Sequence, residues 1–205
     1  MSNKKIITGS IIVAALLIAV SWFYSRKNPG PAAIVNQPAS VVGGLIIGND
    51  KAPVTIEEYT NFLCPACQNF AIKTLPLIKD NYIKSDKVKM VIYIFPPLEF
   101  GRAAYCSDKQ NKFSEYHDYL FAHQREITAE QNIFDFAANV GINRAEFIAC
   151  YNSEAAKKTA QAWLDAGKKR GVDATPIFYI NGEKLIGAQP YREFKKIIDS
   201  KLSSK

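Results

Sequence analysis

The clearest alternation of apolar and polar positions lies in APVTIEEYTNF, residues 52–62. As a strand it places Val54, Ile56 and Glu58 on one face and Thr55, Glu57 and Tyr59 on the other. QNFAIKTLPLIKDNYI follows and reads as a helix, with Pro76 as a kink or break. KVKMVIYIFP is rich in apolar and β-branched residues, which predicts a buried strand stopping at Pro96-Pro97. Residues 101–171 form a long helical stretch. Within it, Thr128 with Gln131 and Asn143 with Glu146 have capping-box spacing, and Ser153 suits an N-cap. TPIFYINGEKLIGA predicts two strands joined at Asn181-Gly182, a strong hairpin signal. PYREFKKIIDSKL closes the chain as an amphipathic helix with Pro190 near its first turn. The first half can form a β-α-β unit and the second adds an antiparallel hairpin and a closing helix. The expected class is α/β, a sandwich with a mixed sheet.

The N-terminus departs from this pattern. MSNKK is short and basic, and Ile6 to Tyr24 is an uncharged run of 19 residues. That run can just span a bilayer, with Trp22, Phe23 and Tyr24 at headgroup level. It also fits a cleaved signal peptide, with Ala19 and Ser21 as the small residues of a cleavage site. Residues 1–24 are therefore expected to be a membrane anchor or a signal peptide. Either way the rest of the chain would face the periplasm or another extracytoplasmic space. Residues 25–44 hold three prolines and three glycines and read as a linker. The folded domain is expected over 45–205.

Charge narrows the partners. The net charge is +7, but residues 1–27 hold four basic residues and no acid, which leaves +3 for the rest. That excess is mild, and no basic stripe is interleaved with aromatics, so a nucleic-acid partner is not expected. An apolar fraction of 48% supports a full core, so the four cysteines are not a small-domain disulfide scaffold.

Cys64 and Cys67 stand where a strand runs into a helix. A helix N-terminus carries unpaired N–H groups and partial positive charge, which stabilise a thiolate. Pro65 suits the first helical position. Cys64 is thus expected to be the exposed nucleophile and Cys67 the more buried resolving thiol. A zinc site usually needs four ligands, and the other candidates are scattered: Cys106 and Cys150 are isolated, and His117 and His123 miss finger spacing. No metal is expected. Metal binding and an inert staple stand as alternatives to redox exchange. His117 and His123 have no identifiable partner in the sequence.

Three segments carry a resemblance: APVTIEEYTNFLCPACQNF, AAYCSDKQNKFSEYHDYLF and GVDATPIFYINGEKLIGA. Together they resemble the DsbA-like branch of the thioredoxin superfamily, from about Gly48 to Leu202. The resemblance implies a thioredoxin fold with a helical insertion over about 100–171. It implies a protein thiol:disulfide oxidoreductase with Cys64 attacking, Cys67 as its partner and Pro176 as a cis-proline opposite them. Thr175 would form a backbone contact with the substrate peptide. Glu58 takes the buried-acid position, where it would accept the Cys67 proton. Some relatives carry a second disulfide in the insertion, which here implies a structural bridge Cys106–Cys150. The redox-active Cys64–Cys67 disulfide needs no cofactor. Expected partners are reduced or unfolded proteins and a membrane redox partner that reoxidises the pair, with the membrane itself met through the N-terminal helix. The chain is expected to be a monomer. An isomerase or reductase of the same fold is the rival reading. Ala66 stands where the best-known members have histidine, and Thr175 where they have valine; the first predicts a less oxidising pair.

Overall fold

The computed structural model describes residues 43–204. The expected anchor or signal segment, and nearly all of the linker, lie outside the described residues. Among the described residues no helix is long and apolar enough to cross a membrane.

Five strands form one sheet in the order β1-β3-β2-β4-β5: β1 Leu45–Ile47, β2 Val54–Thr60, β3 Val88–Ile94, β4 Ile177–Ile180 and β5 Glu183–Ile186. β2 and β3 are parallel and the other pairs antiparallel. The parallel pair needs a crossover, and helix α1 over residues 65–83 supplies it. β1 leaves no mark in the alternation because it has only three residues. Leu45 and Ile47 bury against β3 while Ile46 faces out.

The sheet's two faces follow from strand parity. Glu58 stands in register with Ile92 on β3 and Phe178 on β4. Phe178 packs on Phe70 of α1 at 4.5 Å and on Phe194 at 4.9 Å between ring centroids. Phe194 belongs to the closing helix α7, Tyr191–Ser203, so α1 and α7 roof this face. On the other face Tyr59 stacks on Tyr93 and meets Phe95 and Tyr179 edge-on.

The insertion contains α2 Leu98–Asp108, α3 Phe113–Ala122, α4 Gln131–Asn139, α5 Arg144–Tyr151 and α6 Glu154–Lys169. Helix α6 covers the tyrosine face through Gly167. A Cβ there would lie 2.4 Å from the Phe95 ring and 3.0 Å from Tyr59. Gly167→Ala is therefore expected to cost about 1–3 kcal/mol by overpacking, reversing the usual helix preference for alanine, and urea unfolding would read it. Cys106 on α2 and Cys150 on α5 are joined by a disulfide across 44 residues. Replacing both by alanine is expected to cost up to about 4 kcal/mol in the same assay, from the lost constraint on the unfolded chain.

Some local readings change. Pro76 does not end α1. The helix passes through it by widening: Leu75 N–H donates to Phe70 O, five residues back, in a π-helical segment Phe70–Thr74. Thr128 and Gln131 do not form a capping box. The Asn132 side chain instead accepts from Thr128 N and Ala129 N, both at 2.9 Å, and the helix starts at Gln131. Asn143 and Ser153 do cap, accepting from Glu146 N and Ala156 N. Asn181 and Gly182 both have positive φ, as a tight hairpin turn requires.

Candidate active site

β2 delivers the chain directly to the cysteines. Cys64 is the N-cap of α1, with extended backbone, and Pro65 opens the first turn. Its sulfur is partly exposed, whereas Cys67, one turn on, is wholly buried; both are free thiols. The loop before them is fixed on two sides. Asn61 Nδ2 donates to Pro96 O at 2.6 Å while its Oδ1 accepts from Leu63 N at 2.7 Å. Gln124 Nε2 donates to Phe62 O at 2.7 Å and to Cys64 O at 3.0 Å. Gln124 belongs to a 3₁₀ turn after α3 and no sequence signal marked it. Only the folded insertion brings it 60 residues back to the cysteine.

The opposing wall is the loop before β4. The Thr175-Pro176 peptide is cis. Pro176 is buried, Thr175 is half-buried, and the Cys64 thiol donates to Thr175 O at 3.4 Å. A peptide laid along this loop would therefore reach the sulfur. Beside it, Leu63 is 42% exposed and lines an open cleft of about 390 Å³ with Pro97, Phe100 and Ile127.

Electrostatics separates the two thiols. Burial alone would raise the Cys64 pKa. The Cys67 backbone N–H, the Thr175 and Cys67 side chains and the Ala66 N–H outweigh it and hold the thiol below its ordinary value. Cys67 goes the other way, pushed up to about 12, chiefly by burial and further by the Glu58 carboxylate. Iodoacetamide alkylation should therefore modify Cys64 with a pH midpoint below the ordinary 9.0 and leave Cys67 untouched through pH 9. A Cys64 midpoint at or above 9.0 would contradict this assignment.

Glu58 lies beneath the pair, fully buried, with neither carboxyl oxygen hydrogen-bonded among the described residues. Its neighbours in register, Ile92 and Phe178, are apolar. Burial pushes its pKa up to about 8, and the Thr60 side chain offsets part of the rise. Glu57 points the opposite way and pairs with Arg170, which also sits 3.6 Å over the Tyr179 ring.

The histidines do have partners. His117 is buried, with Nδ1 3.0 Å from Asp118 and its ring among Phe62, Phe113 and Phe121. His123 stacks on Tyr119 and bonds Glu126 at 2.8 Å. The structure thus brings Glu58, Cys64, Cys67, Thr175 and Pro176 to one end of the sheet. Cys106 and Cys150 lie apart in the insertion. Among the described residues no group of three or more His, Cys, Asp or Glu side chains gathers as a metal site.

A helix-capping thiol held below its ordinary pKa, with a buried thiol one turn on, is arranged to exchange with disulfides. Fold and site together define a thiol:disulfide exchange protein. The family model described as Thioredoxin matches residues 40–200. The chain is 26% identical to "Probable disulfide bond formation protein D" of Bacillus anthracis, over 98% of each chain. It is also 26% identical to "Disulfide bond formation protein D" of Bacillus subtilis, over 88% of this chain and 86% of that one. Among solved structures, oxidised BdbD from Bacillus subtilis shares the fold at a TM-score of 0.69 and 24% identity, over 85% of this chain and 97% of its own. Wolbachia pipientis alpha-DsbA1 gives 0.69 and 24%, over 78% and 90%. The chain belongs to the thioredoxin family and is a protein-disulfide oxidoreductase.

Proposed function

We propose that the protein forms disulfide bonds in reduced or partly unfolded proteins outside the cytoplasm. The observation that carries this reading is the asymmetry of the pair: Cys64 beside Thr175 O with a depressed pKa, and Cys67 buried with a raised one. A stabilised thiolate at Cys64 stabilises the reduced pair, which makes the disulfide form a good oxidant.

The cycle starts from the Cys64–Cys67 disulfide. A substrate thiolate attacks Cys64 Sγ, the S–S bond breaks and Cys67 leaves with the electron pair. Cys67 takes up a proton, for which the buried Glu58 is the donor at hand. A second substrate thiolate then attacks the substrate sulfur of the mixed disulfide and Cys64 leaves as a thiolate. Substrate is oxidised by two electrons and the pair reduced by two. Thr175 and the Pro176 loop hold the substrate backbone against Cys64 during both attacks. The cysteine pair carries the electrons without a further cofactor.

Reoxidation requires a disulfide from outside the chain, and a membrane redox partner is the class we assign to it. The names of the Bacillus relatives, which refer to disulfide bond formation, support the oxidising direction. Residues 1–24 would anchor or export the chain, 25–44 would space it from the bilayer, and 45–205 would act as a monomer. Cys106–Cys150 would brace the insertion. The test is oxidative refolding of reduced ribonuclease by catalytic protein with an added oxidant. Recovery of activity at a rate set by protein concentration is expected. Refolding only from scrambled ribonuclease, with none from the reduced form, would favour an isomerase instead.

A further inference from the structure

One buried polar group beside the cysteines has no part in this cycle. Thr60 is wholly buried, and its hydroxyl oxygen, like both Glu58 carboxyl oxygens, has no hydrogen-bond partner among the described residues. Leaving a buried polar group unpaired costs roughly 1–3 kcal/mol. Valine has nearly the same shape, suits a strand and would avoid that cost. Thr60 stands in register with the apolar Ile94, so the sheet itself does not call for a hydroxyl.

Its position gives the hydroxyl a use. Glu58 and Thr60 share a face of β2, roughly 7 Å apart along the strand. Thr60 is the last residue of β2, on the side from which the chain turns into the helical turn carrying Cys67. Its backbone carbonyl is held by Phe95 N–H at 2.6 Å. Its hydroxyl completes no hydrogen bond of ordinary geometry to either group, but the side chain is near enough to the Glu58 carboxyl and the Cys67 thiol to lower the pKa of both. In register with Glu58, β3 and β4 present Ile92 and Phe178, α1 and α7 bring Phe70 and Phe194 to the same face, and Cys67 is the titratable group whose pKa Glu58 raises. A hydroxyl can accept one proton while giving up another.

We propose that the Thr60 hydroxyl relays the proton between the Glu58 carboxyl and Cys67 Sγ. When an attacking thiolate opens the Cys64–Cys67 disulfide, the electron pair of the broken S–S bond goes to Cys67. Thr60 gives its proton to that sulfur and takes the proton of Glu58. The products are a Cys67 thiol, an unchanged Thr60 hydroxyl and a Glu58 carboxylate. In reoxidation the same protons run backward, and the Cys67 thiolate so formed attacks the mixed disulfide with the oxidising partner. The relay rests on the reading of Glu58 as the proton donor for Cys67.

The experiment is stopped-flow reduction of the oxidised full-length protein by reduced glutathione, with rates expressed per glutathione thiolate across pH 6–9. Thr60→Val is expected to slow the reaction by about 10- to 100-fold at pH 7 and to erase the inflection near pH 8. Thr60→Ser is expected to stay within about twofold of wild type, and Cys64 alkylation to be unchanged in both. A Thr60→Val rate within about twofold of wild type, with the inflection kept, overturns the relay; if Glu58→Gln is slow in the same assay, the reading of Glu58 survives. Equal losses in the valine and serine variants also overturn it, because they mark packing rather than a hydroxyl. An unchanged Glu58→Gln removes the donor and the relay together. Should the valine variant fail to fold, Thr60→Ala carries the same comparison.

Discussion

Cys64→Ser is expected to lower disulfide exchange by more than about 1000-fold, because a hydroxyl at the N-cap neither ionises near neutral pH nor forms a disulfide. Cys67→Ser is expected to behave differently. Its Cys64 thiolate still attacks a disulfide, but no second thiol releases the adduct, so mixed disulfides accumulate. Non-reducing gels of each variant, made in cells and quenched with acid, would show adducts for Cys67→Ser and none for Cys64→Ser. The reverse pattern would invert the roles drawn from burial and N-cap position. The contrast follows from geometry: one sulfur lies partly open beside Thr175 O and the other is buried on the first turn of α1.

The second large effect falls on Glu58. Its carboxyl pKa rises from 4.5 to about 8 on folding. A group that holds its proton more tightly when folded favours folding below the unfolded value. That advantage is lost as pH rises through the folded value, so across this window stability falls with rising pH. At pH 7 the accumulated loss is about 3 kcal/mol. Glu58→Leu should therefore stabilise the reduced protein at pH 7 by about that amount and by little near pH 4. His117, buried with its pKa held down by burial, tilts the wild-type profile the opposite way below 6.5. Subtracting wild type from variant cancels that tilt and isolates Glu58. The same substitution should slow exchange by about 10- to 100-fold, because Cys67 then loses its proton donor. Greater stability with lower activity is the signature. A variant that loses both stability and activity would show Glu58 to be structural.

The parts of the site legible in the sequence were carried by local signals. Strand parity alone put Glu58 on the face of Val54 and Ile56 and turned Glu57 away, and the burial pattern follows that parity from Val54 to Glu58 before Tyr59 buries on the opposite face. Pro65 and the strand-to-helix junction marked Cys64 as a helix cap. The Asn181-Gly182 turn fixed the hairpin whose first strand carries the Thr175-Pro176 loop. What stayed hidden depends on distant chain. Gln124 acquires its role only when the insertion folds back on Cys64 O. Asn132 displaced the Thr128–Gln131 cap because its amide reached two backbone N–H groups at once, a contest that spacing cannot decide. β1 depends on an open β3 edge rather than on any pattern of its own. Thr60 gave no signal, since threonine at the end of a strand is ordinary until its neighbours are known.

If the Cys64–Cys67 pair donates a disulfide, its redox state in living cells will show it. Acid quenching followed by a maleimide mass tag would report that state in the full-length protein. The expected result is a pair that is mostly oxidised at steady state. A pair found mostly reduced would contradict it and make the protein a reductase or isomerase.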